Sequence, residues 1–96
     1  MTSEQISAQL AQNLPNGTSA QAVVDYINEN DLSSDGPVNL ESLRPVKDAP
    51  QTSDLLAIVR DVRKSALVST AVQMRFVFDD EQKLIETSVR EINTGL

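Results

Sequence analysis

The chain has 96 residues, 40% of them hydrophobic, with 14 acidic and 8 basic side chains for a net charge of −6. That length supports one small domain, residues 1–96, and leaves no room for a second. The sequence contains no Cys, no His and no Trp. It therefore excludes disulfides, thiolate nucleophiles, cysteine-based metal centres and a Ser-His-Asp triad.

Carboxylates are the remaining common metal ligands, so any bound metal would be a hard ion. No stretch approaches the roughly 18–20 apolar residues of a membrane span. No basic and then apolar leader follows Met1. If Met1 is the native start, the expected location is the cytoplasm.

The charge is uneven. Glu4, Asp25, Glu29, Asp31, Asp35 and Glu41 stand before Arg44 with no basic residue among them, while residues 44–96 carry eight of each sign. Net acidity opposes nucleic-acid binding, which requires phosphate neutralisation. The acidic half is either a solvated surface or a face for a basic partner.

Thr2 and Gln5 have capping-box spacing and open a first helix, with Ile6, Leu10 and Leu14 as a narrow apolar stripe. Its terminal position makes residues 1–14 prone to fraying, and Pro15-Asn16-Gly17 ends it. Thr18 and Gln21 repeat the spacing. Ala20, Val23, Val24 and Ile27 then follow at i, i+3, i+4 and i+7, which predicts a second amphipathic helix. Asn30-Asp31 is its expected stop, because Asn tolerates the left-handed conformation of a helix end.

Residues 33–54 are rich in Ser, Asp, Gly and Pro and predict a long connection with one helical turn around 39–43. A connection of that length is unusual in a compact domain and signals either function or a hidden short strand. Residues 55–63 fit a helix through Leu55, Ile58, Val59 and Val62, or a strand with Leu56, Ile58 and Val62 on one face. Their β-branched content leans towards the strand.

Val72, Met74, Phe76 and Phe78 alternate with Gln73, Arg75, Val77 and Asp79, the pattern of a half-buried strand. A charged turn at Asp79–Gln82 leads into a partner strand over Leu84–Ile92, with Ile85, Thr87 and Val89 on one face. Leu84 and Ile92 are out of phase with that face, which predicts a bulge or twist near an end. The expected fold class is α+β: two N-terminal helices packed on one face of a three-stranded antiparallel meander.

Gly17-Thr18-Ser19-Ala20-Gln21-Ala22-Val23 reads G-x-S-x-x-x-V at a helix start, and Phe76-Val77-Phe78-Asp79 leads through a polar turn to Lys83-Leu84. With the long connection between them, these features resemble the SmpA/OmlA (BamE-like) envelope lipoprotein domains over about residues 15–92. The chain departs from that pattern in having Asn30-Asp31-Leu32 where the family often has a Gly-x-Pro turn, and it lacks a lipobox cysteine. The resemblance implies an envelope-associated, noncatalytic binding domain, in the cell envelope or periplasm and with a lipid anchor only if a leader has been removed, and it favours a strand over residues 55–63.

Asp79, Asp80 and Glu81 lack the alternation and glycine of a calcium loop and read as a solvated turn. Ser65, Ser69 and Thr70 are hydroxyls without a positioned base. Arg60, Arg63, Lys64 and Arg75 form either an anion patch or cross-strand charge pairs with Asp54 and Asp61. Tyr26 is either an interface anchor or a helix-flank residue.

The candidate partner-binding residues are Asp25, Tyr26, Glu29, Asp31, Arg60, Arg63 and Arg75, with no catalytic group, cofactor or metal expected. The expected role is noncatalytic protein binding, through a sheet edge or the acidic helical face. The alternative is a small acidic inhibitor or immunity-type protein for a basic partner.

Overall fold

The computed structural model describes residues 3–64 and 68–95. Two helices, α1 (Ser3–Asn13) and α2 (Ala20–Glu29), precede a 3-10 turn at Leu40–Ser42 and four strands. The strands are β1 (Arg44–Val46), β2 (Ala49–Lys64), β3 (Val68–Phe78) and β4 (Leu84–Gly95). They form one antiparallel sheet in the order β1-β2-β3-β4. The class is α+β, and the expected three strands are corrected to four.

The additional strand lies inside the expected long connection. Pro45 and Pro50 argue against a central strand, yet β1 is an edge element of three residues where proline is tolerated. Val46 pairs with Ala49 across a tight turn, so the irregular connection ends at Leu43.

Residues 55–63 are strand, but the core-facing side differs from the expected one. Leu55, Ala57 and Val59 pair with Phe76, Met74 and Val72, and directly opposed residues of an antiparallel pair share a face. Leu56 and Ile58 therefore lie on the outer face, with Arg75 and Gln73. The phase changes between Val59 and Arg63, where the register slips.

The core joins both layers. Ile6, Leu10 and Leu14 of the first helix and its end, and Ala20, Val23, Val24 and Ile27 of α2, bury into one cluster with the inner face of the sheet. Phe76 and Phe78, which are wholly buried, come from β3. In β4 the bulge falls at the start: Val77 pairs with Glu86 but Phe78 with Leu84, leaving Ile85 as the extra residue. Leu84 thus turns inward and is buried, whereas Ile85 is 44% exposed rather than aligned with Thr87 and Val89 on the core face.

The helix ends follow local chemistry. Ser19, not Thr18, caps α2: its hydroxyl accepts from the Ala22 N–H at 3.2 Å. The Thr18 hydroxyl instead donates to the Pro15 carbonyl. Thr2 lies outside the described residues. At the other end Asp31, rather than Asn30, takes the left-handed conformation, with φ of 53°. Leu32 N–H reaches back to the Ile27 carbonyl at 2.9 Å, completing a Schellman ending with Leu32 buried beneath it.

Two outcomes test this packing. Phe76→Ala is expected to lower unfolding free energy by about 3–5 kcal/mol in a denaturant titration. Asp31→Gly, which relieves a left-handed side-chain residue, is expected to raise it by about 0.5–1 kcal/mol in the same assay.

Candidate functional site

A sheet leaves unpaired backbone groups along both edges, and here the two edges are treated differently. On the β2 side, β1 covers the stretch up to Asp54. Beyond it the connection takes over: Ser34 N–H donates to the Ile58 carbonyl at 2.7 Å, and Arg60 N–H donates to the Ser34 hydroxyl at 2.9 Å. The Arg60 guanidinium holds the Asp35 carboxylate at 3.0 Å. Further back, the Asn28 side chain forms two 2.9 Å bonds with the backbone of Val38, tying the same connection to α2.

On the β4 side, only the beginning is covered among the described residues. Leu84 N–H donates to the Thr18 carbonyl at 2.8 Å, Gly17 N–H donates to the Leu84 carbonyl at 2.7 Å, and Ser19 bridges Lys83. From Ile85 onward β4 has one neighbouring strand, β3. The hairpin that positions β4 is set by Asp79, whose carboxylate accepts from the N–H groups of Glu81 and Lys83, with Gln82 at φ of 60°. Asp79 is thus engaged by its own turn. Among the described residues no group of three or more metal-ligating side chains occurs.

Two grooves flank the open edge. One, of about 460 Å³, lies between α1 and β4 on the inner side, with Ala11, Leu14, Ile85 and Val89 in its walls. The other, of about 360 Å³, lies on the outer face among Leu56, Gln73, Arg75, Ser88 and Arg90. Thr87, which lines the first groove, has an enclosed hydroxyl without a hydrogen-bond partner among the described residues.

The sequence-predicted residues do not converge on one site. Asp25 and Glu29 are exposed on α2, Asp25 accepting from Gln21, and Asp31 serves the helix ending. Tyr26 is half-buried against the core. Arg75 lies across the sheet from them, on the outer face, 3.0 Å from Asp54 and 3.8 Å from Glu86. Arg60 belongs to the β2 edge clamp. Of Arg63 only the backbone pairing with Thr70 is described; its side chain, like those of Lys64 and Ser69 and all of Ser65, lies outside the described residues. Thr70 is buried.

Comparison with known proteins finds no matching family model, curated protein or solved structure. Sequence reasoning missed Glu86, Ser88 and Arg90, the outward residues of the open edge. Their polar alternation is visible in the sequence, but which strand ends the sheet is not. Among the described residues, no helix is long and apolar enough to cross a membrane.

Hydrogen bonding from Arg60, reinforced by its charge, holds the Asp35 carboxyl below the ordinary carboxylate range. The contact is thus present at neutral pH and is lost as the pH falls through that lowered value. A carbon NMR titration is expected to place the Asp35 midpoint below that of an unperturbed Asp, and Arg60→Gln to return it upward. Thr87→Val, which removes the unpartnered hydroxyl at constant shape, is expected to stabilise the fold by about 1 kcal/mol in a denaturant titration.

Proposed function

We propose that this is a noncatalytic protein-binding domain whose binding element is the open edge of β4. The observation that carries this reading is the asymmetry of the sheet. The β2 edge is covered by β1 up to Asp54 and fastened at Ile58 and Arg60 by Ser34 and the Asp35–Arg60 pair, and β1 itself is short and contains proline. Such features blunt an edge against pairing. Beyond Leu84, β4 has no strand or loop on its free side among the described residues. A strand of a partner can add there, drawing affinity from backbone hydrogen bonds and specificity from the flanking grooves. A role in the cell envelope, as the SmpA/OmlA resemblance implies, is compatible with such a module and belongs to the same proposal.

A second reading has its own support. Glu29 and Asp31 are exposed and form no ion pair among the described residues, and Asp25 is bonded to the neutral Gln21. That face suits a basic partner of the inhibitor or immunity type, whose binding would weaken steeply with salt.

Affinity capture from the native cell at low and high salt separates the two. Successive residues of an antiparallel strand point their N–H groups to opposite sides. One of Ser88→Pro and Val89→Pro therefore spares the β3 ladder while removing an edge donor. The variant that keeps its far-UV circular dichroism is expected to lose the captured partner at both salt concentrations. Retention by that variant, with loss at high salt or in Asp25→Asn/Glu29→Gln, would replace edge pairing by the acidic-face reading.

A further inference from the structure

We propose that the β4 edge pairs with β4 of a second copy of this chain, antiparallel and centred on Ser88, joining two four-stranded sheets into one. This rests on the reading of the β4 edge as the binding element and adds the identity of its occupant.

Symmetry and charge select the register. Two identical strands pair antiparallel about a two-fold axis perpendicular to the sheet, which keeps inner and outer faces on their own sides. Opposed residues must therefore share a face, so the axis passes through a pair of identical residues. Glu86, Ser88 and Arg90 lie outward, paired with Val77, Arg75 and Gln73 of β3, and Thr87 and Val89 lie inward, paired with Phe76 and Met74.

Few registers satisfy this symmetry. Centring on Glu86 or on Arg90 opposes like charges, which destabilises an antiparallel pair. Centring on Thr87 or Val89 places Glu86 and Arg90 opposite uncharged residues. Centring on Ser88 places Glu86 opposite Arg90 of the other copy twice, and Thr87 opposite Val89 twice. Over Glu86–Arg90 the open edge is thus self-complementary in one register; beyond Arg90 the copy's strand leaves the edge, because Leu84, opposite Ile92, is bonded to Gly17 and Thr18.

The surroundings favour the same arrangement. Arg90 is exposed and has no ion pair among the described residues, and the Glu86 contact with Arg75 is long, at 3.8 Å. Both side chains have capacity for a cross-copy partner. The stretch Glu86–Arg90 contains no Pro, which would remove an edge donor. Ile85 and Val89, in the groove between α1 and β4, border the seam that a second sheet would extend.

Light scattering coupled to size exclusion, run on the full chain over a range of concentrations, reads the association, with circular dichroism as the control for folding. The wild type is expected to dimerise. Arg90→Glu and Glu86→Arg each oppose like charges across the seam twice and are expected to weaken the dimer about tenfold or more. Mixing these two variants restores both unlike pairs and is expected to yield the mixed dimer.

The chain has no native cysteine, so crosslinking isolates the register. Oxidised Ser88→Cys is expected to form a disulfide-linked dimer, because directly opposed Cα atoms lie within disulfide range. Val89→Cys is not expected to do so, since its two copies are offset along the strands. A wild type that stays monomeric, a mixture that fails to associate, or crosslinking through Val89→Cys instead of Ser88→Cys would overturn the proposal. A monomer that still loses its cellular partner on edge-blocking proline substitution overturns self-pairing alone. A monomer whose partner is indifferent to that substitution overturns the edge reading as well.

Discussion

Every backbone N–H and C=O at the margin of a sheet must find a partner in protein or water, and this constraint organises most of the irregular structure here. The connection between α2 and β1 is long because it has an edge to cover. Ser34 continues the hydrogen bonding of β2 where β1 stops, and Asp35 and Arg60 hold it in place. Asn28 fastens the following residues to α2 through paired bonds with the Val38 backbone, as a neighbouring strand would. The loop between the helices does comparable work at the other margin, but only as far as Leu84. Beyond Leu84, the free side of β4 carries no further strand or loop among the described residues.

Much of the fold was legible in the sequence because burial periodicity is local. The alternation through Val72, Met74, Phe76 and Phe78 marks β3 and its core face, and the stripe through Ala20, Val23, Val24 and Ile27 marks α2. The phase error at Leu84 correctly announces a bulge. The misreadings also have physical causes. Leu55 and Leu56 are both apolar, so the period of β2 is ambiguous from its own residues, and its register with β3 decides which one turns inward. β1 is obscured because proline lowers strand propensity on average but not at an edge. Thr18 and Ser19 are adjacent N-cap residue types, and the bond from Thr18 to Pro15 settles which is left to cap.

The candidate site was less legible, since edge status is a property of the assembled sheet. Nothing in Glu86-Thr87-Ser88-Val89-Arg90 distinguishes a terminal strand from an internal one. The acidic first half gains a more definite form from the structure. Asp35 is engaged with Arg60, whereas Asp25 and Glu29 stand on α2 away from the sheet's outer face. The acidity is therefore divided between an internal fastening and an exposed helical surface. The outer face of the sheet carries its own charged row, Asp54, Arg75 and Glu86.

The contact between Ser19 and Lys83 also bears on how the chain reaches this state. It joins segments far apart in sequence, whereas the β3–β4 turn is closed locally around Asp79. Loop closure over long separations loses more chain entropy than a hairpin does. Leu84 can meet the interhelical loop in its final register only after the hairpin bulge has turned it inward. The turn and bulge are thus local features, and they present Leu84 to the interhelical loop. Sealing Gly17 and Thr18 against Leu84 depends on that geometry, so a change in the small hairpin displaces the interhelical loop with it.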